Sequence, residues 1–437
     1  MKRAKQSTIW LLWLIVLEHF CVSIVSAQER ASNMIDTGDT AWILVCSALV
    51  LCMTLPGLAL FYGGLVRSKN VLGTIMHAAI ILCVISIVWV LWAYSLAFGD
   101  GGPYIGTLDF VGLSGIAVDD VSGEIPTLLF VMFQGMFAII TPALITGAFV
   151  ERFKFSTYLV FLVLWLTFVY APICHWVWGG GWIGEMGALD FAGGTVVHIN
   201  AGIAAVAAAA MVGKRRNPGT QPHNVPFVVL GAGLLWFGWF GFNAGSELAA
   251  DAVAVSAFIV TNTAAATAAL TWGLISHLRS GKMSAVGVAT GAVAGLVAIT
   301  PASGFVGVMG SMGIGFAAGA LCFFAVELIN STNLDDALDV FAVHGIGGII
   351  GAVLTGVFAV EAIGGTAGLI EGNGSIVVTQ IVAVGATLIY SLLATMAILF
   401  ILDKIPGLGL RATEREEDDG LDISSHGERG FVGDGAD

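Results

Sequence analysis

Hydrophobic and polar positions in this chain alternate in long blocks. From residue 38 onward, eleven mostly apolar blocks follow one another at 40–66, 71–98, 126–149, 155–177, 191–213, 225–245, 253–277, 284–301, 306–329, 341–360 and 375–402. A helix needs about 20 such residues to cross the hydrocarbon layer. The pattern therefore predicts an all-α polytopic membrane protein with eleven transmembrane helices, its membrane domain spanning 38–402. The basic residues test that count. Beyond Arg30, every Lys and Arg falls after an odd-numbered block, from Arg67 and Lys69 to Lys404 and the tail. None falls in 99–125, 178–190, 246–252 or 361–374. Basic loops stay in the cytoplasm, which predicts a mature N-terminus outside and a cytoplasmic C-terminus. One cytoplasmic loop, 330-NSTNLDDALD-339, lacks a base and is acidic.

Ahead of these blocks, residues 1–27 have a basic start, an apolar run and a small-residue end at Val25-Ser26-Ala27. That is the pattern of a signal peptide cleaved after Ala27; an uncleaved anchor helix is the alternative. Composition agrees with the membrane reading. Of 437 residues, 57% are hydrophobic and 11% charged, and mean hydropathy is +0.92. Soluble domains carry about 25% charged residues, so this chain has no polar coat for a soluble core. The 58 glycines follow no collagen period and suit closely packed membrane helices. The six cysteines lie in apolar segments without metal-ligand spacing, so they read as packing residues. The net charge of −13 implies no acidic-partner or nucleic-acid chemistry.

Two blocks share a motif. Val197-His198 is followed by Gly202-Ile203 in the fifth, and Val343-His344 by Gly348-Ile349 in the tenth. An aspartate precedes each, Asp190 by eight residues and Asp339 by five. Two five-helix halves in one chain must run in opposite orientations, so the motif predicts inverted repeats plus a C-terminal eleventh helix, with a site near the midplane at their interface. An ionisable residue inside a bilayer is costly and faces a cavity or pathway, which marks His198 and His344 as functional. His77 and His277 lie near helix ends and read as incidental, while His175, beside Trp176 and Trp178, is placed to line a vestibule.

With these residues in view, the chain resembles the ammonium transporter family (Amt/Mep/Rh), its bacterial Amt branch in particular. The motifs are 179-GGGWIGEMGALDFAGGTVVHINAG-202, 235-LWFGWFGFNAGS-246, 300-TPASGFVGVMG-310, 340-VFAVHGIGGIIG-351 and 420-GLDISSHGE-428. The resemblance implies an eleven-helix fold of two inverted halves, assembled as a homotrimer with one pore per subunit in the cell (inner) membrane. His198 and His344 match its twin pore histidines. Phe137 and Phe242 match the outer and inner gate, and Trp178 and Ser246, with Phe137, the outer recruitment site. Asp190 matches the aspartate below that site, and Phe133 and Trp239 match further vestibule or pore-lining positions. The implied cargo is ammonium or ammonia, with methylammonium as a further candidate. No cofactor or metal is implied.

These residue types suit that chemistry. Ammonium and potassium share size and charge, so radius alone cannot separate them. Aromatic faces bind either cation, at about 0.5–2 kcal/mol. A serine oxygen accepts a hydrogen bond, which only ammonium can donate. Below the mouth, an apolar pore excludes ions, and paired imidazoles can share a proton. Asp190 reads equally as a carboxylate stabilised at a helix N-terminus. The tail, 403–437, reads as disordered by composition; the resemblance implies instead an ordered tail on the cytoplasmic face, where a P-II signal protein can block the pore. A sensor built on the transporter fold is the rival function. No GxSG with a placed His, no HExxH and no carboxylate-rich metal cluster lies within the blocks, so an enzyme is not expected.

Overall fold

A computed structural model describes residues 34–218 and 221–431. The expected signal peptide, 1–27, lies outside the described residues. Among the latter, ten helices are long and apolar enough to cross a membrane: α1 (Thr37–Leu65), α2 (Ser68–Phe98), α3 (Thr127–Phe149), α4 (Phe155–Glu185), α5 (Gly194–Val212), α6 (Val225–Glu247), α7 (Ala252–Ser280), α9 (Val308–Asn330), α10 (Phe341–Phe358) and α11 (Ser375–Lys404). Between α7 and α9 stands the shorter apolar α8 (Ala285–Ile299). Every expected block is thus helical, and the bounds agree within a few residues except at the end of α4.

Helix α8 has 15 residues, about 22 Å at 1.5 Å per residue, against a hydrocarbon thickness of about 30 Å. From Val293 to Ile299 it is buried without a break, packed against α7 and α9. Its neighbours, rather than lipid, surround that end, and the chain returns through the turn 300–306. Caps fix several helix starts. Asp36 accepts the backbone N–H of Gly38 and Asp39, Asp251 those of Val253 and Ala254, and the Ser284 hydroxyl that of Gly287. Each such cap contributes about 1 kcal/mol. The described cysteines are free thiols.

The loops divide between two faces. One face carries the loops without Lys or Arg. The other carries the basic loops and the tail, whose described residues pack against that face. Backbone bonds tie Lys154 to Leu410 and Ala412 to Arg152. Two short helices follow, α12 (Glu414–Asp419) and α13 (Leu421–His426). Asp422 accepts the Gly73 N–H at 2.7 Å, capping the start of α2, and Asn70 accepts the Leu421 N–H at 2.8 Å. The disorder that composition suggests is overridden by these specific bonds. The acidic loop 330–339 is not without cations either. Arg215 pairs with Asp335 at 2.7 Å, and the fully buried Arg152 donates to the carbonyls of Ala148, Gly213 and Asp335. Against the effect of burial, the Arg215 hydrogen bonds and the charges of Arg215 and Arg152 hold the Asp335 carboxyl below its usual range.

Candidate functional site

Helices α3, α4, α5, α6 and α10 bring the singled-out residues together. On the face without Lys or Arg, a cavity of about 320 Å³ is lined by Phe137, Trp178, Ser246, Gln134, Phe191 and Leu248. The Ser246 hydroxyl donates to the Phe242 carbonyl at 2.8 Å, so its own oxygen stays free to accept. Trp178 donates its indole N–H to the Asp190 carbonyl at 2.9 Å, which fixes the ring at the cavity wall. Gln134 was not singled out by sequence. Its amide oxygen is buried without a partner, and its place beside Phe133 and Phe137 on α3 was the available signal.

From this cavity an unbroken series of rings leads inward. Phe137 meets Trp178 edge-on at 5.7 Å and Phe133 at 5.0 Å. It lies 4.4 Å from Phe242, centroid to centroid. Phe242 is 5.9 Å from His198, and His198 stacks on His344 at 5.3 Å and 21°. Trp239 lies nearly parallel to His198 at 5.4 Å and donates its N–H to Thr300 at 2.9 Å. Both phenylalanines are essentially inaccessible, and the two imidazoles are buried.

The imidazoles face each other Nδ1 to Nδ1 at 3.2 Å. Two neutral rings can hold only one hydrogen between those atoms. One ring then carries Nδ1–H and the other Nε2–H. The outward nitrogen of His198, Nε2, is buried and has no protein partner.

Local backbone explains how two helices approach so closely. Both histidines sit in π-helical turns, Gly194–Ile199 and Phe341–Gly345. Such turns recur at functional sites because they re-aim side chains. The repeated glycine, four residues after each histidine, faces the other helix. A Cβ on Gly202 would overlap the backbone N and Cα of Gly345, and one on Gly348 would stand 3.2 Å from the His198 Cβ.

Asp190 accepts four backbone N–H groups. Gly193 and Gly194 bind one carboxylate oxygen, at 3.0 and 2.5 Å, and Thr195 and Val196 the other, at 2.9 and 3.2 Å. Burial pushes its carboxyl up to about 6, opposed by these four bonds. Its helix-start role is therefore direct, and its link to the mouth runs through its own carbonyl and Trp178.

Two expectations are corrected. His175 does not line the cavity: its ring nitrogens face the carbonyls of Ala97 at 3.0 Å and Gly102 at 2.8 Å, holding the 99–106 loop. The acid that parallels Asp190 is Asp336 rather than Asp339. Asp336 accepts the Phe341 N–H at 2.7 Å, whereas Asp339 faces Asn330 at 3.3 Å. The electrostatics are one-sided. On the basic face, Lys and Arg equal Asp and Glu in number among the described residues, so the net charge of −13 falls on the face where the cavity opens.

The model of the Ammonium Transporter Family matches residues 41–431. An ammonium transporter of Bacillus subtilis is 50% identical over 400 residues, 90% of this chain and 98% of that one. The crystal structure of Saccharomyces cerevisiae Mep2 superposes with a TM-score of 0.83 at 39% identity, covering 87% of this chain and 89% of the other. A sensor Amt protein superposes with a TM-score of 0.82 at 29% identity, covering 91% and 100%.

Proposed function

This chain belongs to the ammonium transporter family, and from that premise we propose that it moves ammonium across the cytoplasmic membrane as ammonia, with the proton relayed separately. The carrying observation is the buried His198–His344 pair, in contact at 3.2 Å and reached from the mouth cavity through stacked aromatic rings. On this reading the cavity face is outside, the basic face is cytoplasmic, and the five-helix halves α1–α5 and α6–α10 are inverted repeats, with α11 the eleventh span. The repeated π-turn histidines and glycines support that arrangement.

The acidic outer face concentrates cations. At the mouth, Trp178 and Phe137 attract the cation through their ring faces, at about 0.5–2 kcal/mol, and Ser246 accepts a hydrogen bond from ammonium. Potassium lacks that donor. Between Phe137 and Phe242 the path is closed and apolar. Moving an idealised ion into such a medium costs on the order of 20 kcal/mol. Neutral ammonia escapes this cost, and potassium has no neutral form. Inside, the histidine pair exchanges hydrogen bonds with ammonia and shares a proton across its Nδ1 atoms. Phe133 and Trp239 wall the path and hold the rings in place.

The exposed apolar groove between α1, α6 and α7, lined by Trp42, Phe240 and Phe258 among others, supports a homotrimer. A P-II protein at the docked tail and methylammonium as an alternative cargo belong to the same proposal. A sensor is the second reading, favoured by the likeness to a sensor Amt protein over nearly the whole chain.

An ammonium pulse on proteoliposomes, recorded as current and internal pH together, tests the proposal. Saturable inward current supports the separate proton relay. Alkalinisation above empty liposomes without current leaves an ammonia channel and removes the relay. Silence in both transfers the weight to the sensor.

A further inference from the structure

We propose that the end of α2 and the loop after it form a second cation site, separate from the mouth, that takes ammonium or small alkylammonium ions. Its cavity, of about 430 Å³, is lined by Tyr94, Phe110, Ile116, Asp119, Asp120 and Thr127 among others. It lies on the face without Lys or Arg, and 99–125 holds neither. Asp119 and Asp120 are both exposed and have no cation in their own loop. Asp120 gives one oxygen to the Ala117 N–H at 2.6 Å, and its other oxygen has no partner among the described residues.

A buried polar group joins these carboxylates. Tyr94 is 5% exposed and borders the cavity, yet its hydroxyl makes no hydrogen bond among the described residues. A buried hydroxyl left unpaired is costly, and a ligand that donates hydrogen bonds into the cavity removes that cost. The Tyr94 and Phe110 rings stand 6.1 Å apart at 47° and form an aromatic wall, which attracts cations. The lining decides the class of ligand. Calcium takes about six to eight oxygens, whereas this cavity offers two carboxylates and two hydroxyls beside apolar rings and Ile116. An ammonium-type ion uses all of them: acceptors for its N–H groups, negative charge and ring faces. At about 30 Å³ per water, the cavity also admits waters that complete its shell.

The position gives the site a use. Tyr94 stacks on Phe98 at 5.5 Å, and Phe98 borders the mouth cavity with Phe137 and Trp178. The two cavities are neighbours across one ring pair. On the transport reading above, the outer one holds cations in reserve beside the mouth.

The test measures binding to the full chain in nanodiscs at low, fixed ionic strength. Methylammonium is the probe, and saturation transferred from the protein to its methyl protons is read by NMR. Trp178→Leu with Ser246→Ala disables the mouth, so that the second site is read by itself. On that background a signal should persist. It should fall at least fivefold when Asp119→Asn and Asp120→Asn are added, and at least twofold with Tyr94→Phe. Asn keeps an oxygen for Ala117, and size exclusion confirms assembly. Ammonium chloride should displace the probe, and calcium chloride at equal ionic strength should not. No signal on the mouth-disabled background would overturn the proposal, as would one that the asparagines or Tyr94→Phe leave unchanged. Stronger displacement by calcium would make this a divalent site and overturn the ligand class. No flux enters the readout, so such a failure leaves the transport reading standing.

Discussion

Replacing Gly202 with alanine puts one methyl group where the two histidine-bearing helices cross. The added carbon overlaps backbone atoms of Gly345, the residue after His344. Carbon contacts settle at about 3.5–4.0 Å, and backbone atoms cannot rotate aside, so α10 must retreat by about 1 Å. The Nδ1–Nδ1 contact of 3.2 Å then opens to about 4 Å, beyond hydrogen-bond range. Overpacking costs about 1–3 kcal/mol, while alanine in a helix returns at most about 1 kcal/mol. A 1 Å misplacement can lower a rate by about 100-fold. Gly348→Ala is the graded control. Its nearest obstacle is the Ile199 Cγ1 at 2.9 Å, a side-chain atom that can give way. Initial ammonium flux in proteoliposomes, normalised to folded protein, should fall strongly in Gly202→Ala and mildly in Gly348→Ala. Thermal midpoints followed by tryptophan fluorescence should fall in the same order. Parental flux in Gly202→Ala, or greater damage from Gly348→Ala, would refute the reasoning.

Three further outcomes are expected. Arg152→Met leaves the carbonyls of Ala148, Gly213 and Asp335 without their donor and should cost about 3–5 kcal/mol, seen as a lower unfolding midpoint in detergent. Burial and neighbouring Asp336 raise the Asp339 carboxyl to about 7, from 3.8 unfolded, so the native state retains a proton that the unfolded chain releases. Stability must then fall as pH rises through that window; Asp339→Asn should remove part of the fall and melt higher than the parent at pH 8. Finally, a cavity on a face that carries the whole net charge should show an apparent KM for ammonium that rises with ionic strength, since the screening length is about 10 Å at 0.1 M. Replacing Asp119 and Asp120 together with asparagine should flatten that dependence, and an unchanged slope would remove the outer face from recruitment.

The helices were legible because hydropathy dominates where lipid or protein, and not water, surrounds a segment. Only α8 departs, and it is short because other helices cover its buried end. The nine candidate residues lie close together in the fold, joined by ring contacts from Trp178 to His344 and by the Asp190 bond to Trp178, because they sit in long motifs on or beside neighbouring helices. What the sequence concealed depends on atoms distant along the chain. The tail's order rests on Asp422 meeting Gly73, which no local composition encodes. His175 is claimed by two carbonyls more than seventy residues upstream, one at the end of α2 and one in the loop after it, and its tryptophan neighbours misdirected the reading. Asp339 was paired with His344 at five residues, although the eight-residue spacing of Asp190 and His198 is repeated by Asp336.

On the transport proposal, two facing imidazoles in a dry pore select ammonium by letting only its neutral form pass. It is tested most directly by the variant carrying both His198→Ala and His344→Ala, reconstituted in liposomes, with ammonium and potassium currents measured on the same membranes. The variant should assemble and lose its discrimination, because water enters the widened pore and either cation can follow. A double variant that assembles and excludes potassium as the parent does would contradict it.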